Sequence, residues 1–168
     1  MSYKSLCVCA AVVLLPLFVS AQAKPTMSGK CGKSDVQQSV PAGDQQDHTF
    51  MVASGKCSVT GEVNGVKATE GSYAEDGETT GSHFKNTGVY TVTFENGDKI
   101  FYSYHGNHTM KNGAMQTGTN SYQVMSGTGK MKGVKGSGHC KLTGDNNGGL
   151  TYSCMGEYST GGKAPMKK

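Results

Sequence analysis

The side chains in this sequence that could carry chemistry are its histidines, one cluster of carboxylates, its tyrosines and its cysteines. The five histidines are His48, His83, His105, His108 and His139. Only His105 and His108 are close in sequence, in His105-Gly-Asn-His108. In a straight strand their rings point to opposite faces. A turn at Gly106-Asn107 would instead bring both imidazoles to one metal ion, and a solvated polar loop is the plainer expectation. Glu75, Asp76 and Glu78 crowd around Gly77. An acid–base pair needs carboxyls about 5 to 9 Å apart across a cleft, so neighbours in sequence are more simply a soluble turn. The chain has no Gly-x-Ser-x-Gly elbow and no Gly-x-x-x-x-Gly-Lys-Ser/Thr loop, the patterns that expose a nucleophile or cradle a phosphate. No cofactor is expected.

Tyrosines are the most suggestive set. Tyr73, Tyr90, Tyr102, Tyr104, Tyr122, Tyr152 and Tyr158 all fall in segments that read as strands. A barrel mouth lined by tyrosines, with Tyr90, Tyr102, Tyr104 and Tyr122 as the candidates, would offer an apolar body and a polar tip to a small apolar, aromatic or sugar ligand. Tyrosine is also an ordinary strand residue, and β-propensity alone is the plainer account of their positions.

The cysteines speak to compartment. The chain opens Met-Ser-Tyr-Lys, runs apolar over 6–19 and reaches Ala21-Gln22-Ala23, which matches a secretory leader with an A-x-A cleavage site. Residues 1–23 are expected to be removed, taking Cys7 and Cys9 with them, and the mature protein to start at Lys24 and be secreted or periplasmic. The apolar run is short and broken by Pro16, too little for a bilayer span of about 20 residues. Four cysteines remain, Cys31, Cys57, Cys140 and Cys154. In an oxidising compartment they read as two disulfides, and their spacing matches no zinc-ribbon pattern.

The formal charge of +4 comes from 16 lysines and no arginine, and tryptophan is absent. Nucleic-acid readers rely on arginine forks and aromatic stacking, so nucleic acid is not an expected partner.

These side chains must be held by strands. Residues 24–47 carry Pro25, Pro41 and many polar residues without a period and read as an irregular arm; 161–168 read as a flexible basic tail. Between them, 48–160 alternate apolar and polar residues in short runs at 49–59, 65–73, 88–95, 98–105, 115–125, 129–134, 136–143 and 150–158. No helical stripe is sustained. Asn64-Gly65, Asp76-Gly77, Asn96-Gly97, Asn112-Gly113 and Asn146-Asn147-Gly148-Gly149 supply turn residues that tolerate positive φ. The expected fold is all-β: an antiparallel eight-stranded barrel with an irregular, disulfide-tethered N-terminal arm.

Two registers follow. A two-residue turn at Asn96-Gly97 sets Val92 opposite Phe101, with Tyr90, Val92, Phe94 and Phe101 on one face and Val89, Ile100, Tyr102 and Tyr104 on the other. A five-residue loop over 145–149 sets Cys140 opposite Cys154, close enough to bond. Cys57 would then anchor the arm through Cys31. The competing pairing, Cys57 with Cys154 and Cys31 with Cys140, follows if barrel closure makes the first and last strands neighbours.

The run Ser126-Gly-Thr-Gly-Lys-Met-Lys-Gly-Val-Lys-Gly-Ser-Gly138 resembles the glycine-led pattern of allene oxide cyclase-like and dirigent-like β-barrels. With Tyr90-Thr-Val-Thr-Phe94, the hairpin after it and Met155-Gly-Glu-Tyr158, the likeness covers residues 43–158. It implies an eight-stranded barrel, and it carries no catalytic residue onto this chain. Gly127, Gly129, Gly133, Gly136 and Gly138 are expected to serve bulges and strand bends. The leading functional expectation is a non-catalytic secreted barrel that binds a small ligand or serves as an extracellular interaction module. A cyclase- or dirigent-like enzyme and a purely structural barrel with a filled interior are the alternatives. Converging polar groups in a cavity would favour the enzyme.

Overall fold

A computed structural model of the chain describes residues 27–145 and 147–160. The expected leader, its cleavage site and the basic tail lie outside the described residues. The described residues form nine strands: β1 (Met27–Cys31), β2 (Val36–Pro41), β3 (His48–Val63), β4 (Val66–Thr80), β5 (His83–Phe94), β6 (Lys99–Lys111), β7 (Ala114–Gly127), β8 (Val134–Gly144) and β9 (Leu150–Thr160). From β3 to β9 each strand pairs antiparallel with the next, and β1 inserts between β9 and β3 to close the barrel at eight strands. β2 continues beyond β1 along the same edge of β3 as a ninth, outer strand.

The arm thus contains two short strands that its composition does not announce. They form by pairing with β3, and Cys31 tethers them as expected: Cys31 lies directly opposite Cys57 and is bonded to it. Cys140 lies opposite Cys154 and is bonded to it, in the hairpin register expected from the five-residue loop. The competing pairing through Cys57 and Cys154 does not occur. Among the described residues no helix is long and apolar enough to cross a membrane, and two disulfides fit an oxidising environment.

Several local expectations are corrected. Asn64-Gly65 and Asn112-Gly113 are two-residue turns with both residues at positive φ. At Asn96-Gly97 only Gly97 has positive φ, Gly97 N–H donates to Phe94 O, and Phe94 N–H donates to Asp98 O. The loop therefore has one residue more, and Val92 faces Ile100 instead of Phe101. A one-residue slip exchanges the faces of one strand: Tyr90, Val92, Phe94, Ile100, Tyr102 and Tyr104 all turn inward, while Phe101 points out.

Asp76-Gly77 is not a turn, and Glu75, Asp76 and Glu78 are not on a loop. β4 runs through them to Thr80 and turns at Gly81-Ser82, pairing with β5 throughout. β6 likewise runs straight through His105 and His108 to Lys111, so neither the solvated loop nor the metal-gathering turn forms. The run expected as a strand over 129–134 is a 3-10 turn, Gly129–Met131, preceding β8. It is tied to the β5–β6 hairpin: Lys130 N–H donates to Asp98 Oδ2 at 2.8 Å and Lys99 N–H donates to Thr128 Oγ1 at 2.8 Å.

That turn decides where the core sits. Met131 is fully buried and meets Val63, Val66, Phe94, Ile100 and Val134 at the end of the barrel that holds the Asn64-Gly65 turn. The opposite end, ringed by the turns at 42–47, 81–82, 112–113 and 145–149, opens into a cavity. One end is sealed by apolar packing and the other is a mouth.

Candidate functional site

The cavity has a volume of about 480 Å³, within the range of sites that enclose a small organic molecule. Its floor is a layer of tyrosines above the sealed core. Tyr90 and Tyr152 meet edge to face with ring centroids 6.1 Å apart, and their hydroxyls share a hydrogen bond of 2.7 Å. Tyr102 stands edge-on to both Tyr122 and Tyr158, at 5.6 and 6.5 Å. The Tyr158 hydroxyl lies 3.4 Å from each of the other two hydroxyls. Burial pushes the phenols of Tyr90, Tyr102, Tyr152 and Tyr158 upward, so they are neutral hydrogen-bonding groups.

Glycine makes room for this layer. A Cβ at Gly71 would collide with the Tyr90 hydroxyl, and one at Gly88 would stand 2.7 Å from the Tyr104 hydroxyl. Inward-facing rings lie across glycines on the neighbouring strands, a device that packs large aromatics inside a narrow barrel. Gly77 serves Phe84 in this way rather than forming a turn. In β8, Gly138 faces the Tyr122 hydroxyl, so part of the glycine-led run fits the tyrosine floor as well as bending the chain.

Above the floor, one wall is polar. Tyr104 Oη donates to Glu75 Oε2 at 2.7 Å, and Asn86 Nδ2 donates to the same oxygen at 2.6 Å. Asn86 Oδ1 must then accept, so His108 Nε2–H is the donor in their 3.0 Å hydrogen bond. That leaves His108 Nδ1 as an acceptor, and both it and Asn120 Oδ1 are buried without a protein partner. Gly118 gives the imidazole its space, since a Cβ there would collide with Nδ1. Burial raises the Glu75 carboxyl despite its two donors, and burial lowers His108 to about 4. Across from this wall stand Leu142 and the Cys140–Cys154 disulfide, and the rim carries Met51, Met110 and Met115.

The four tyrosines singled out from the sequence, Tyr90, Tyr102, Tyr104 and Tyr122, all line this cavity. His105 and His108 part company: His105 is exposed outside, and His108 is buried on the polar wall. Among the described residues no three His, Cys, Asp or Glu side chains gather as a metal site. His48 sits at the mouth between Asp44 and Glu78, at 2.6 and 2.8 Å, and chiefly the Asp44 hydrogen bond raises its pKa. Sequence reasoning placed Glu75 on a soluble turn and missed Asn86 and Asn120. The usable signal was strand pairing across Gly81-Ser82, which turns Glu75 and Asn86 inward with Tyr73 and Phe84.

His108 makes a pH signature. Its folded pKa lies below the ordinary 6.5, so the unfolded chain binds its proton first. The stability gained from keeping it neutral is complete above about pH 6.5 and is lost as pH falls toward about 4, on the order of 3 kcal/mol in all. The raised carboxyl of Glu75 acts in the opposite sense, because the folded state takes up that proton more readily. Urea midpoints across this window should fall less for His108→Gln, which keeps a donor toward Asn86, than for the wild type. Equal slopes would mean that His108 is not held neutral in the fold.

Comparison of the chain with protein-family models, with curated proteins and with solved structures finds no match.

Proposed function

We propose that this protein is a secreted small-molecule-binding barrel whose ligand enters at the methionine rim and rests on the tyrosine floor. The observation that carries this reading is the cavity itself: about 480 Å³, sealed at one end and amphipathic in its lining. An aromatic molecule with one hydrogen-bonding end suits it, the ring against Tyr90, Tyr152 and Leu142 and the polar end toward Glu75 and Asn120. Methionines at a rim adapt to ligand shape at low cost. The resemblance to allene oxide cyclase-like and dirigent-like barrels is compatible with a ligand held inside the barrel.

A second reading, an enzyme working in the same cavity, draws on one specific observation. Glu75, Tyr104 and His108 converge there with shifted protonation behaviour, and such groups mark catalytic sites more often than chance. Against it, Tyr104 and Asn86 are spent on Glu75 and His108 Nε2 on Asn86, which leaves acceptors facing the cavity and fits recognition.

Incubating the purified protein with an extract of its source and analysing it by native mass spectrometry separates these readings. A retained small molecule, released unchanged on unfolding, is the expected result. Chemical conversion of the retained molecule would favour the enzyme, and a protein that returns with its cavity empty would count against both.

A further inference from the structure

The charge inside the cavity is unbalanced. Among the described residues Glu75 is the one carboxylate lining it, and no lysine or histidine forms an ion pair with Glu75. The only lysine at the cavity among the described residues is Lys33, in the β1–β2 connection at the mouth beside Gly148. His108 reaches Asn86, not the carboxylate. Both protein hydrogen bonds to Glu75 fall on Oε2, so Oε1 remains as an acceptor. Tyrosines share the cavity with the carboxylate: Tyr104 donates to it, and Tyr73, two residues earlier on the same face of β4, lines the same space.

We infer that the ligand is an organic cation, an aromatic or alkyl amine whose ammonium group pairs with Glu75 while the tyrosine rings surround the rest of it. This deepens the binding-barrel reading and rests on it. A half-buried carboxylate without a counter-charge is costly, and an ammonium supplies the missing charge and a donor for Oε1. Tyrosine faces add cation–π attraction that a neutral or anionic ligand does not gain. Replacement by glutamine preserves an oxygen for Tyr104 and Asn86, removes the charge and puts an amide donor where Oε1 accepts.

The test uses three molecules of nearly equal shape: tryptamine, tryptophol and indole-3-acetate, carrying a cation, a neutral hydroxyl and an anion. The protein has no tryptophan, so indole fluorescence reports the probe alone. Tryptamine is expected to bind at least roughly tenfold more tightly than tryptophol, with indole-3-acetate weakest. Glu75→Gln should erase the preference for tryptamine over tryptophol. If tryptophol or indole-3-acetate binds the wild type as tightly as tryptamine, the cation assignment is overturned while the binding-barrel reading stands. If Glu75→Gln folds and retains the preference, the assignment is likewise overturned, because the discrimination then lies elsewhere. Failure of all three to bind would overturn both. The wild-type comparison decides by itself should the variant not fold.

Discussion

Replacing Cys31 and Cys57 together by alanine is expected to remove about 3 to 4 kcal/mol of stability, the chain-entropy value for a separation of 26 residues. It should also loosen a particular seam. β1 is five residues long and, among the described residues, is the only element joining β3 to β9. Without its covalent tie, the fraying of one short strand opens the barrel. Hydrogen exchange should therefore quicken in β1, along 57–61 of β3 and along 150–154 of β9, while β5 and β6 stay protected. Removing Cys140 and Cys154 costs a similar amount, about 3 kcal/mol for a separation of 14 residues, but the β8–β9 hairpin stays paired through the turn. A Cys31/Cys57 variant whose seam exchanges no faster than its β5–β6 amides would show that β1 holds the barrel without its disulfide.

Met131→Ala should be nearly as damaging, costing about 2 to 5 kcal/mol. Its side chain is fully buried in the sealed end among Val63, Val66 and Phe94, and the 3-10 turn that carries it is anchored by Asp98. Truncation leaves a hole that a two-ended hydrogen-bonded turn cannot follow inward to fill. Met131 does not line the cavity, so chemical denaturation should register the loss while any probe affinity, measured where the variant is still folded, stays near the wild-type value. A destabilisation below about 1 kcal/mol would mean that the turn collapses onto the core and does not plug it.

The barrel and the Cys140–Cys154 bond were legible because they follow from patterns that act locally: period-two alternation, turn residues with positive φ and a hairpin register that opposes the two cysteines; Cys31–Cys57 followed as the pair that remained. The polar half of the cavity was hidden for a related reason. Its strand segments, such as Ala74-Glu-Asp-Gly-Glu-Thr-Thr80, face a hydrated mouth on one side and solvent on the other. No apolar alternation survives there, and a strand reads like a loop. Gly77 strengthened the misreading, since a glycine that accommodates Phe84 looks the same in sequence as one that turns the chain. β1 and β2 escaped notice because their pairing depends on β3 and β9, not on their own composition. The slip at Asn96-Gly97 came from a choice between turn lengths that the dipeptide does not specify, and it exchanged Phe101 for Ile100 in the core.

The position of β1 also governs how the molecule reaches its native state. Its partners lie far apart in the chain: Met27 pairs with Gly61 on one side and with Cys154 on the other. During synthesis the β1–β3 ribbon can form early, but its second edge waits, unpaired, until the final strand emerges. Long-range pairings of this kind give a high contact order and slow folding, and a waiting edge is a template for association with other chains. Closure should be the late event, so truncation before β9 would yield a species that retains the Cys31–Cys57 bond yet aggregates through the open edge of β1.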